Sequence, residues 1–108
     1  MADYDLYGID VESIEQARAV IEKALSIVLV ERDSSYHRGP YFSIGEIGSE
    51  NFEVKANIDP FEDVPVEEQF AQHRFLLYVN NTSRSAALSA SLLSGGSQVS
   101  LLRRETFT

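Results

Sequence analysis

Asp33-Ser34-Ser35-Tyr36-His37-Arg38 sets an acid, two hydroxyls, a phenol, an imidazole and a guanidinium in six consecutive residues. Those are the groups of nucleophilic hydrolysis. That chemistry needs a serine Oγ, a base and an orienting carboxylate converging in space beside an oxyanion hole. Neighbours on one loop do not converge in this way, and the chain has no Gly-x-Ser-x-Gly turn. The stretch therefore reads as an exposed loop whose aspartate and serines satisfy backbone amides. The alternative reading of the same residues is a pocket around Tyr36, His37 and Arg38 in a small enzyme or ligand-binding protein of α+β type.

A second constellation is acidic. Glu46, Glu50, Glu53, Asp59, Glu62, Asp63, Glu67 and Glu68 fall in one window against a single base, Lys55, in a chain with 17 acidic residues in all. Three chemistries could use such a window. A calcium loop needs oxygens at fixed positions around a turn glycine, and here prolines interrupt Asp59, Glu62 and Asp63. Zinc needs clustered His or Cys, whereas His37 and His73 lie far apart and cysteine is absent. Paired carboxylates for glycoside hydrolysis need a cleft, which a loop between prolines does not supply. No catalytic, cofactor or metal residues are expected. With metal binding and acid–base catalysis set aside, the third chemistry remains: a surface that meets something positive. On this reading Asp59, Glu62, Asp63, Glu67 and Glu68 carry the charge, and Tyr36, Tyr41 and Phe61 are the aromatic anchors, in the manner of a protein interface.

The net charge of −8 supports the same choice. Nucleic-acid phosphates and anionic membrane surfaces both call for Lys and Arg. Arg103-Arg104 is the one basic doublet. On a strand its two side chains point to opposite faces. Gly95-Gly96 follows a helix instead of preceding one, so it stops a helix and does not cradle a phosphate.

The elements that must position these residues follow from periodicity. Tyr4–Gly8 alternates as a short strand. Ser13 and Gln16 form a capping box, and Ile14, Ala17, Ile21, Ala24 and Leu25 share one face of the helix that follows. Ser26–Arg32 is β-branched and apolar, which suggests a strand buried on both faces. Tyr41–Gly45 and Asn51–Asn57 alternate about Gly45 and Gly48 and predict a hairpin. Asp59-Pro60 and Val64-Pro65 make 57–70 a long loop, with a helical turn near Glu67. Arg74–Asn80 is a strand. Thr82–Ser94 is a helix capped by Thr82 or Ser83, with Ala86, Leu88, Leu92 and Leu93 as its buried candidates. Val99–Phe107 is a final strand. The order β-α-β-β-β-β-α-β predicts one α+β domain over residues 1–108, a mainly antiparallel sheet with two helices on one face.

Apolar content of 44% is ordinary for a globular domain. The start of the chain lacks the basic and apolar regions of a signal peptide, and no apolar run reaches the ~20 residues of a membrane span. A cytoplasmic location is expected.

Asp3-Tyr4-Asp5-Leu6-Tyr7-Gly8, Arg32–Phe42, Asn57–Asp63 and Leu76–Ser85 together resemble the small immunity proteins of bacterial contact-dependent growth inhibition and related toxin systems. The resemblance implies a cytoplasmic protein, not an enzyme, that binds and blocks one cognate toxin C-terminal domain. Such toxins are often basic nucleases, and an acidic inhibitor suits one. The resemblance carries over no individual residues, so the expected interface rests on charge alone. A monomer is the expected state, with a homodimeric module pairing its sheet edge as a further alternative.

Overall fold

The computed structural model describes residues 2–34, 39–46, 48–58, 63–94 and 98–107. They form strands β1 (Ala2–Ile9), β2 (Val30–Ser34), β3 (Gly39–Ile44), β4 (Asn51–Ala56), β5 (Phe75–Thr82) and β6 (Val99–Phe107), with helices α1 (Ile14–Leu25) and α2 (Ser85–Leu93). The chain order is the expected β-α-β-β-β-β-α-β, and the fold is α+β. All six strands join one antiparallel sheet in the order β2-β3-β4-β5-β1-β6.

α1 begins as its sequence dictates. Ser13 Oγ accepts from the Gln16 amide at 3.2 Å. Gln16 reaches back, its Oε1 accepting from the Glu12 amide at 2.9 Å. Two otherwise orphaned donors are satisfied at the first turn. Ala17 and Ile21 are buried against the sheet, with Ile14, Ala24 and Leu25 packed beside them. The helix stops at Ser26, whose left-handed backbone (φ 56°) closes the last turn.

The β3–β4 hairpin is also as expected. Its glycines 45 and 48 adopt φ of +93° and +94°. At Gly45 a Cβ would lie 2.4 Å from the Glu50 carbonyl oxygen, so no side chain fits there.

Two elements differ from their sequence pattern. β2 is an edge strand starting at Val30, not a doubly buried one. Leu29 is buried, but Val28 and Val30 are 74% and 48% exposed. The apolar run marks a strand, but its place in the sheet is set by partners elsewhere. In α2, Leu88 and Leu92 face the core, while Ala86 and Leu93 are exposed. The helix starts later than Thr82 suggests. Thr82 ends β5 and accepts from the Arg84 amide at 3.1 Å, and Arg84, the N-cap residue, makes no side-chain cap. The Gly95-Gly96 stop lies outside the described residues.

α1 and α2 cover one face of the sheet. Tyr7, Ile9, Phe42, Phe52, Val54, Leu77, Val79 and Val99 meet Ala17, Ile21, Leu88 and Leu92 there. Each fully buried aliphatic or aromatic side chain in that layer contributes about 1.5–3 kcal/mol.

Candidate partner-binding site

Cross-strand register defines the second face. Tyr78 of β5 lies opposite Glu53 on β4 and Leu6 on β1, and Leu6 lies opposite Arg103 on β6. Leu76 lies opposite Lys55 and Gly8. Neither helix covers this face, yet Leu6 and Leu76 are fully buried. The acidic segment provides the cover.

Asn57, at the end of β4, fastens that segment. Its Nδ2 donates to the carbonyls of Phe70 (3.1 Å) and His73 (3.0 Å), and its Oδ1 accepts from the Glu67 amide (2.9 Å). One amide side chain thus satisfies three backbone groups of a stretch with little regular structure, as buried peptide groups require. Glu68–Phe70 forms a single 3₁₀ turn, the helical turn expected near Glu67.

His73 closes the far end. Its ring packs flat on Gly8, where a Cβ would come within 2.5 Å of Nδ1 and 2.6 Å of Cγ. Glycine is required at that position so that the segment can approach the strand. The same Nδ1 lies 3.0 Å from Asp10 Oδ1.

Glu67 bonds the segment to the sheet. The Tyr78 hydroxyl donates to Oε2 at 2.6 Å, and Arg103 Nη1 donates to Oε1 at 3.1 Å. Burial alone would raise the Glu67 pKa; the Tyr78 hydroxyl and the Arg103 guanidinium outweigh it and hold the carboxyl below its ordinary value. Tyr78 is pushed upward, first by burial and then by the Glu67 carboxylate. The folded-state pKa of Glu67 is lowered, so the ionised group stabilises the fold fully above its usual value of 4.5, and that contribution is lost as pH falls through the lowered value. Glu67→Gln is therefore expected to destabilise the protein near neutral pH and to approach wild-type stability in acid. Urea midpoints of the two proteins that stay equally far apart below pH 4.5 would contradict this.

Of the residues singled out by charge, Glu67 thus turns its carboxylate to the sheet. Asp63 and Glu68 are exposed, as are Val64 and Val66 between them. Asp63 has a left-handed backbone, φ 59°, a conformation that Asp and Asn tolerate. Tyr41 is half-buried on β3, opposite Arg32. Asp59, Phe61, Glu62 and Tyr36 lie outside the described residues, as do His37 and Arg38 of the alternative pocket. Charge reasoning misses Asn57, His73 and Gly8. A signal for them exists: β1 and β5 are apolar on both faces (Leu6 beside Tyr7, Leu76 beside Leu77), so something must cover the side the helices leave open.

A second polar cluster lies under α2. Arg104 donates from Nε and Nη2 to the buried Asp5 carboxylate at 2.9 and 3.0 Å, and from Nη2 to Ser89 Oγ at 2.6 Å. Asp3 accepts from Ser85 and from Thr106. Arg103 and Arg104 do point to opposite faces. Ser89 has the Tyr7 hydroxyl and Arg104 for neighbours, neither of which is a general base at neutral pH.

Among the described residues no three His, Asp or Glu side chains are grouped to hold a metal ion. The cleft between the C-terminal ends of α1 and α2, about 370 Å³, is lined by Val20, Lys23, Ala24, Ser91 and Leu92 among others. Among the described residues that line it, Lys23 is the ionisable one. No described helix is long and apolar enough to cross a membrane. No protein-family model, curated protein or solved structure matches the chain.

Proposed function

We propose that the chain is an immunity-type inhibitor that binds a basic toxin domain, of the nuclease kind, through its acidic segment and acts in the cytoplasm of the cell it protects. One observation carries this reading. The acidic segment is fixed to the sheet at Asn57, Glu67 and His73, so Asp63 and Glu68 are presented from a braced surface with Val64 and Val66 between them. Little ordering entropy is then left to lose on docking. A nuclease cleft shaped for phosphates offers Lys and Arg. Carboxylates set against them occlude the cleft, and long-range attraction speeds the encounter by roughly a hundredfold at low salt. A toxin must be caught before it acts, so association rate is the property under selection.

Co-expression with the C-terminal domain of the protein encoded immediately upstream tests the class: restored growth and a one-to-one complex are expected. The surface is tested by Asp63→Asn with Glu68→Lys. Asparagine keeps the left-handed backbone while removing the charge. Association is expected to slow about tenfold or more at low salt, with a flatter salt dependence. An unchanged rate and salt slope would remove the segment from the interface. Absence of both complex and protection would end the inhibitor reading.

A further inference from the structure

Among the described residues both edges of the sheet are open: β2 on one side and β6 on the other. Open edges are places where proteins associate, and the charged side chains along them decide which pairings are permitted. Six alternating strands leave the two edges running in opposite directions. A second copy displaced in the plane of the sheet, with the same face up, therefore brings its β2 antiparallel to β6 of the first.

Register and charge select this arrangement over the two-fold ones. A two-fold axis normal to the sheet, pairing β6 with β6, sets one residue against its own counterpart. Around the middle of the exposed stretch that residue is Arg103, Arg104 or Glu105, so like charges face each other. Pairing β2 with β2 meets the same difficulty at Glu31 or Arg32. Pairing β6 with β2 does not. β6 has a bulge between the positions opposite Leu6 and Tyr7, and the regular stretch after it, Arg103–Phe107, matches the length of β2, Val30–Ser34. In that alignment Phe107 lies opposite Val30, Thr106 opposite Glu31 and Glu105 opposite Arg32.

The faces agree. Glu105 and Phe107 share the helix-free face with Arg103, as the edge-to-face contact of Phe107 with Tyr4 (5.3 Å between centroids) and the register of Tyr4 with Glu105 require. Val30, through Ser43, Glu53 and Tyr78, lies on the same face, and Arg32 follows two residues on. Phe107 and Glu105 are 53% and 51% exposed, and Glu31 and Arg32 are exposed too. We infer that β6 of one copy pairs with β2 of the next, in this register, so that the protein self-associates head to tail through a continuous antiparallel sheet. This contact is heterologous, and it closes into a ring or extends according to the twist between copies. The acidic segment meets β6 on the helix-free face, where Arg103 donates to Glu67.

Sedimentation of the full chain over a range of concentrations tests the inference. Wild-type protein is expected to exceed the 12.1 kDa of one chain as concentration rises. Glu105→Arg alone and Arg32→Glu alone should each weaken association at least tenfold. A mixture of the two should restore it, because each variant's altered edge then meets an opposite charge on the other. Four results overturn the inference. They are a wild-type protein that remains one chain up to its solubility limit, single variants that associate like wild type, dissociation by Glu105→Arg with no effect of Arg32→Glu (a β6–β6 contact), and variants that stay apart when mixed.

Discussion

Replacing Arg104 with alanine is expected to cost about 3 kcal/mol of stability, at the low end of the loss that follows removal of one partner from a buried ion pair. The Asp5 side chain has no exposed surface. Both of its oxygens are held by Arg104, and the remaining neighbour, the Tyr7 hydroxyl, stands 3.5 Å away, too far for a good bond. Alanine would leave that carboxylate without compensation and would also take from Ser89 on α2 one of its two partners, leaving the Tyr7 hydroxyl. The guanidinium is itself 33% exposed, so water can enter the vacated space and soften the loss. The urea midpoint should fall with little change in slope. The double change Asp5→Leu with Arg104→Met removes both charges, and it should recover most of the loss. A single variant that loses under about 1 kcal/mol would show that the pair is no better than a surface contact.

Asn57→Ala is expected to cost a similar amount, about 3 kcal/mol, from three hydrogen bonds at roughly 1 kcal/mol each. Its signature should differ. Arg104 ties a strand to a helix, whereas Asn57 fastens a segment that has little internal hydrogen bonding of its own. Limited proteolysis should therefore cut the variant between residues 63 and 74 well before the rest of the chain opens. Asn57→Asp supplies the control. It keeps an acceptor for the Glu67 amide but sets a carboxylate against two carbonyl oxygens, so it should be no better than alanine. If either variant keeps wild-type stability and wild-type cleavage, Asn57 does not hold the segment.

The sequence makes some elements plain and hides others for a physical reason. α1 is legible because every signal is local: Ser13 and Gln16 within one turn, then apolar residues at helical spacing. The β3–β4 hairpin is legible for the same reason, with its glycines at the turn. The run Ile27–Val30 is ambiguous because a strand's neighbours, not its own residues, decide whether it lies at an edge. α2 has no charged side chain to mark its outer face, so Ala86 and Leu93 look as buried as Leu88. In β4 the alternation correctly turns Glu53, Lys55 and Asn57 away from the helices, yet that side is not all solvent. Asn57 meets residues up to sixteen positions later, and no local pattern records such a partner. The acidic window stands out by composition, while the use of Glu67 as an internal anchor depends on Tyr78 and Arg103, which reach it only through the sheet.

The placement of β1 bears on how the chain reaches this state. β1 is the first of the described strands in chain order, and both its neighbours, β5 and β6, are the last two. From Ile9 onward, synthesis must run to Phe75 before any adjacent strand exists. Until then Leu6, Tyr7 and Ile9 have no strand to pair with, and the centre of the sheet stays open while its outer hairpin can already form. Pairings so distant in sequence are slow to find and leave apolar surface uncovered meanwhile. Pairing of β1 therefore waits for the second half of the chain, and its apolar residues have no strand beside them until then.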